Sequence, residues 1–267
     1  MPSAGKAGSP VAPSRAIDRY FGPAYQRMYT RYLLPPQQTA AEAEYLLGRL
    51  RPKAGDRWLD IPCGYGRHLA ELRRLRPRLR LAGCDLNRDY LAAARQPGLA
   101  LARADYRRLP WAAGSFHAVL MLLNSFGYYP PRGREHPARP DDRAVLREAA
   151  RVLRPGGWLV LDLSNRRSLL ELVRRQPRIR YGGGEYDVRE EFGWDAAGQC
   201  LTNRTRWTWP GGRQSAGYRL RLYTPAEIRR LLPRAGLQWV EAVGSFRGEP
   251  FDPIHSERMI VLARRER

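Results

Sequence analysis

Lysine is almost absent from this chain of 267 residues. Only Lys6 and Lys53 stand among 47 basic residues, the other 45 being arginine, and the formal net charge is +21. The arginines recur in runs such as LRRLRPRLR, YRRLP and NRRS on separate segments, so they do not gather into one stripe of the kind that tracks a nucleic acid. A compositional replacement of lysine by arginine explains their identity, though not their excess over acids. Cysteine is scarce too: Cys63, Cys84 and Cys200 form no C-x-x-C pair, which leaves neither a disulfide framework nor a zinc site and fits a reduced, cytoplasmic protein. His68, His117, His136 and His255 lack metal-ligand spacing, and no metal is expected. No apolar run approaches the length that crosses a bilayer. The opening run MPSAGKAGSPVAPSR has no apolar stretch of the signal-peptide kind, and residues 1–16 are expected to be a disordered tail. No Ser/His/Asp or Cys/His arrangement for nucleophilic catalysis is recognisable.

Against these absences stands the run WLDIPCGYGRH, residues 58–68, followed by Asp85 in LAGCDLN. An apolar strand, a glycine turn opening a helix and an acid ending the next strand predict a nucleoside-binding crevice. Gly64 and Gly66 remove side chains where a ligand approaches backbone. Asp85 is expected to accept hydrogen bonds from two ribose hydroxyls. The third glycine of a dinucleotide fingerprint is missing, its position being Leu69. That glycine serves close packing beneath a pyrophosphate, so the pattern suits an adenosine ligand without one.

With these residues the chain resembles the class I S-adenosylmethionine-dependent methyltransferases, strongly over residues 57–165 and more loosely to the C-terminus. The resemblance rests on Asp60, Cys63, Gly64 and Gly66 at the first strand and turn, on Asp85 with its neighbour Leu86, and on Asp105-Tyr106. It continues through Leu123-Asn124-Ser125-Phe126-Gly127, similar to the Asn-Ser-Phe of glycine-type and amino-sugar N-methyltransferases, and EAARVLRPGGWLVLDLSN. It implies an α/β fold: a Rossmann-like, seven-stranded, mostly parallel sheet with helices on both faces and a small antiparallel β insert. It also implies S-adenosylmethionine as cofactor, with Asp60 and Gly64 at the methionine end, Asp85 at the ribose, Asp105 at the adenine amino group, and Cys63, Gly66, Leu86, Tyr106, Leu123 and Asn124 as further cofactor-binding residues.

The chain reads as one elaborated domain: N-terminal lid helices over 17–56, a cofactor-binding core over 57–177, a β insert over 178–223, and 224–267 completing the sheet. Strands are expected near 57–62, 80–85, 99–104, 116–123 and 157–164, with unbroken apolar runs that suit burial on both faces. EYDVREEFGW, QCLTNRTRWTW and RQSAGYRLRLY predict a three-stranded insert. Ile17–Leu34 predicts one helix with Tyr25, Tyr29 and Tyr32 on a single face, packed on the core or covering the cofactor. The loop at 130–142 is too polar and proline-rich to pack.

Methyl transfer asks the protein to align a nucleophile and exclude water. An amine acceptor must also lose a proton, for which Tyr128 and His255 are the candidates. Glu190 and Glu191 could recognise a cationic amine, although strand alternation turns only one of them inward. A small-molecule N- or O-methyltransferase, acting as monomer or homodimer, is the favoured reading. An RNA or protein methyltransferase using the basic surface is the alternative, without an Asp/Asn-Pro-Pro-Tyr motif or a Pro-Cys nucleophile after the fourth strand to support it. A binding module that has lost catalysis is a third reading.

Overall fold

The computed structural model describes residues 19–28, 35–129 and 142–267. Helices α1 (Pro23–Met28) and α2 (Pro36–Leu50) precede β1 (Arg57–Asp60), α3 (Arg67–Leu75), β2 (Arg80–Asp85), α4 (Arg88–Ala94), β3 (Ala100–Arg103) and β4 (Phe116–Met121). A two-residue β5 (Tyr128–Tyr129) follows, then α5 (Asp142–Val152), β6 (Leu153–Ser164) and α6 (Arg166–Arg175). Four long strands come next: β7 (Arg178–Gly183), β8 (Tyr186–Asp195), β9 (Cys200–Trp209) and β10 (Gly212–Arg221). Helix α7 (Pro225–Leu231), β11 (Leu237–Val243) and β12 (Arg258–Arg265) end the chain. No helix among the described residues is long and apolar enough to cross a membrane.

Seven strands pair in the order β11-β12-β6-β4-β1-β2-β3, all parallel except β12, which runs antiparallel to both neighbours. The apolar runs of β1, β2 and β4 are buried nearly throughout because the sheet is covered on both faces. One face packs Leu59, Val119 and Leu161 against Val145 and Leu146 of α5 and Ile228 of α7. The other packs Trp58, Leu120 and Val160 against Leu46 of α2 and Leu69 and Leu72 of α3. Leu69, which replaces the third glycine, is accommodated from the opposite side. A Cβ on Gly83 of β2 would lie 2.7 Å from its Cδ1, so the close helix–strand approach is made by a glycine in the strand. Because β2 and β4 flank β1 on opposite sides, all three parallel, the order of strand addition reverses at β1 and a crevice opens at its carboxyl end.

The second sheet departs from expectation. It has five strands, ordered β5-β10-β9-β8-β7, where three were read. Segment RIRYGG pairs with β8 from Arg178↔Glu191 to Gly183↔Tyr186, and the chain leaving the β4 region adds Tyr128–Tyr129 at the other edge. The N-terminal helix is also interrupted: residues 19–20 are helical, Phe21-Gly22 turns, and Pro23 starts α1. Proline lacks the N–H that an uninterrupted helix would use there. Tyr20, Ala24 and Met28 are buried against Val188 and Trp207 of the insert. The tail at 1–16, Tyr29, Tyr32 and almost all of the 130–142 loop lie outside the described residues.

Candidate active site

The crevice holds a cavity of about 190 Å³. Of the residues named from sequence, Asp60, Cys63, Gly64, Asp85, Leu86, Tyr106, Leu123, Tyr25 and Tyr128 line it. The loop after β1 is fixed by Cys63 N–H donating to Cys84 O at 2.8 Å and Gly64 N–H donating to Asp85 Oδ2 at 2.9 Å. Asp85 Oδ1 accepts from Asn87 N–H at 2.8 Å, so one carboxylate ties the glycine loop to the end of β2. Asn87 in turn caps α4 and donates from Nδ2 to Phe21 O at 2.8 Å, drawing the N-terminal segment over the cavity. Phe21 and Tyr25 pack edge to face at 4.9 Å, and Phe21 and Tyr128 at 5.2 Å, forming an aromatic roof.

Asp60 sits at the end of β1 with 2% of its surface exposed and accepts no hydrogen bond from the described residues. Burial pushes its carboxyl up to about 8; the Arg67 guanidinium opposes this and Asp85 adds to it. Arg67, the first residue of α3, donates from Nη1 to Thr39 Oγ1 at 2.7 Å and pairs with Glu42 Oε2 at 2.8 Å. Its Nη2 is buried without a partner. His68 Nε2 lies 2.7 Å from the same Glu42 oxygen. Burial would raise Glu42, but the His68 hydrogen bond and the Arg67 charge bring it down to about 2. Burial lowers His68, and the Glu42 hydrogen bond opposes this. Tyr90 Oη and Ser125 Oγ are likewise buried without a partner on residues lining the cavity. Three polar atoms left unpaired around one cavity, beside a buried carboxylate, fit a ligand carrying its own donors and acceptors. Arg67 and Tyr90 were not named from sequence, and Ser125 only as part of the Asn-Ser-Phe motif. Glu42 had a legible signal, being the one acid on the buried face of α2 formed by Thr39, Ala43 and Leu46.

Other expected residues lie apart from the cavity. Asp105 is held by Arg107, whose Nε donates at 3.0 Å and whose backbone N–H donates at 2.8 Å; its neighbours Ala104 and Tyr106 form the wall instead. Asn124, at φ 56°, turns away from the cavity and binds Ser164 through Nδ2 to Oγ at 2.8 Å and through Oδ1 to the backbone N–H. It thereby ties the β4 exit to β6 while Leu123, also left-handed at φ 54°, reaches the cavity wall. Gly66 shapes the turn from outside, its φ of 77° being left-handed. His255 does not line the cavity. Asp252 Oδ1 accepts from Ile254 N–H at 2.7 Å, closing a surface turn, and its Oδ2 holds His255 Nδ1 at 2.9 Å with the imidazole 78% exposed. Glu190 lies behind the roof, accepting from Thr205 Oγ1 at 3.0 Å, and burial raises it; Glu191 points outward to Arg178, as strand alternation requires. Tyr29 lies outside the described residues. Among the described residues no group of three or more histidines, cysteines or acids could hold a metal.

Comparison with known proteins agrees with this geometry. Residues 59–157 match the family described as methyltransferase domain. A demethylmenaquinone methyltransferase of Corynebacterium kroppenstedtii is 34% identical over 115 residues, covering 42% of this chain and 44% of the relative. The chain thus spans less than half the length of the curated relatives it matches. In structure, the CcbJ methyltransferase of Streptomyces caelestis superposes with a TM-score of 0.73 at 19% identity, covering 94% of this chain and 99% of its own. The sugar N-methyltransferase KedS8 of a Streptoalloteichus species gives 0.64 at 20% identity, covering 100% and 99%. At such identities the superpositions establish the fold. Residues 59–157 thus carry a methyltransferase domain, and the strand order and the glycine loop joined to Asp85 agree with that match.

Proposed function

We propose that this protein transfers the methyl group of S-adenosylmethionine to a nitrogen or oxygen of a small-molecule acceptor. The observation that carries the reading is the buried, unpaired Asp60 facing a cavity beside the unpartnered Arg67 Nη2. A carboxylate and a guanidinium side by side suit the ammonium and carboxylate of an amino acid, and Asp85 at the next strand end suits a ribose diol. Gly64 and Leu123 bring backbone to the same wall.

When bound, S-adenosylmethionine supplies an electrophilic methyl on a sulfonium. The protein's own residues then have two tasks. Phe21, Tyr25 and Tyr128 exclude water from the cavity and restrict entry to a small acceptor. Tyr128, which lines the cavity, orients the acceptor, its hydroxyl accepting a hydrogen bond from the acceptor's N–H or O–H. His255 has no place in this scheme. The organisation read from sequence, with residues 57–177 as the cofactor-binding core and 178–223 as the insert behind the roof, is part of the proposal. Two relatives support small acceptors: one carries the name fatty-acid O-methyltransferase and one sugar N-methyltransferase.

Transfer of a labelled methyl group from S-adenosylmethionine into fractionated extract tests it. Label in the small-molecule fraction is the expected result; label confined to nuclease-sensitive RNA or to protein would overturn it.

A further inference from the structure

The outer face of the five-stranded sheet has no part in the cavity. Its inner face, with Val188 and Trp207, packs on Tyr20 and Met28 beneath the aromatic roof. The outer face forms a trough of about 1290 Å³ walled by Arg178, Arg180, Arg189, Arg204, Arg206 and Arg219. Its floor is small: Gly193, Thr202, Ser215 and Gly217. Glycine is required at 217, where a Cβ would lie 2.3 Å from Asn203 O.

The pairing register gathers like charge. Arg180 stands opposite Arg189, and Arg189 opposite Arg206, so three guanidiniums share one cross-strand row. Directly opposed like charges disfavour the sheet. Asp187 answers two of them, at 2.7 Å to Arg180 and 3.1 Å to Arg189, while Glu191 binds Arg178 and Asp195 binds Arg219. Arg204 and Arg206, both exposed, have no ion pair among the described residues. Along a strand such side chains repeat at roughly 7 Å and across strands at roughly 5 Å, close enough for one phosphate to meet two guanidinium forks.

We propose that this trough binds the phosphodiester backbone of a nucleic-acid strand, as an anchoring surface separate from the methyl-transfer site. The aromatic residues beside the trough, Phe192 and Tyr218, alternate onto the other face and pack against Leu201 and Leu220, so among the described residues contact is with phosphates and independent of sequence. A lipid surface fits less well: the trough is concave, and the exposed large apolar residues Leu172, Val240 and Ile254 all lie elsewhere.

Fluorescence anisotropy of the full chain with labelled oligo-uridylate and oligo-deoxythymidylate, across a salt series, is the test. Neutralising about four phosphates gives a slope of log K against log salt of about −3. The pair Arg189→Glu and Arg206→Glu should weaken binding at least tenfold and flatten the slope by about 1.4. The pair Arg189→Lys and Arg206→Lys should keep the salt slope, since both retain their charge, and bind more tightly than the glutamate pair. Calorimetric affinity for S-adenosylmethionine should be unchanged in both, which certifies the fold; Arg204→Glu is the second variant if the pair fails that control. Tighter binding of one oligonucleotide assigns the strand to RNA or DNA. Wild-type binding by the glutamate variants would overturn the proposal, as would polyglutamate competing as well as oligo-uridylate, or preferential binding to phosphatidylglycerol vesicles.

Discussion

Asp60 makes ligand binding a proton-coupled event. Its carboxyl is buried, accepts no hydrogen bond from the described residues, and is pushed up to about 8. At pH 7 about nine-tenths of the ligand-free chain therefore carries it protonated. Pairing with a cationic ammonium requires the ionised form, so binding must expel that proton. The cost of ionisation is about 1.4 kcal/mol at pH 7 and about twice that at pH 6, so affinity for S-adenosylmethionine should fall about tenfold between the two. Glu42, near 2, stays ionised throughout this window, and burial moves His68 downward, away from neutral pH. Titration calorimetry at pH 7 in phosphate and in Tris should return about 0.9 proton released per ligand. Asp60→Asn should bind more weakly, with no pH dependence and no proton release. The folding side has the opposite trend to a salt-bridged acid. Because the folded pKa lies above the unfolded one of about 3.9, the folded state holds the extra proton between about pH 4 and 8. Ligand-free stability should thus fall by about 1.4 kcal/mol per unit as pH rises through that window, and Asp60→Asn should remove the slope. Flat affinity from pH 6 to 7.5 with no proton release would refute the placement of the cation beside Asp60.

Three further outcomes follow from the site. Asp85→Ala removes the acceptor of both Gly64 N–H and Asn87 N–H along with the expected ribose contact, and calorimetry should register a loss of roughly 1.5–3 kcal/mol in cofactor binding. Gly66→Ala combines a left-handed φ with a Cβ placed 2.8 Å from that of Ala94; chemical denaturation should find the protein less stable by about 1–3 kcal/mol, and Ala94→Gly should relieve only part of this. Tyr128→Phe should lower kcat with cofactor affinity intact, whereas His255→Ala should leave both unchanged, and a drop in kcat for the histidine variant would return it to the site.

The parallel core was legible because each of its signals is local. A strand buried on both faces writes an unbroken apolar run, and Gly64, Gly66 and Asp85 belong to one turn and one strand end only about twenty residues apart. Where the reading strayed, the deciding interaction came from a neighbour in sequence or from far along the chain. Asp105 has the right place for an adenine contact, but Arg107 two residues later occupies it. Asn124 has the right motif, but Ser164 on the adjacent strand claims its side chain, and the cavity receives Leu123 instead. His255 has the right chemistry, but the Asp252 turn holds it on the surface.

The insert shows why edge strands are hardest to see. Residues 178–183 and Tyr128–Tyr129 are too short or too charged to carry a strand pattern alone, and each is extended because a long neighbour, β8 or β10, offers unpaired backbone groups. Their addition has a consequence for both faces of the sheet. On the inner side the Tyr128 edge is drawn toward Phe21, and the insert becomes continuous with the roof of the cavity. On the outer side β7 adds Arg178 and Arg180 to a face that β8 and β9 already supply with Arg189, Arg204 and Arg206. Arginines that look evenly scattered along the chain are therefore concentrated by register: strand alternation sends every second residue outward, and antiparallel pairing lays those residues side by side. A dispersed charge in one dimension becomes a patch in two, and the same alternation puts Trp207 and Val188 against the N-terminal segment that closes the cavity.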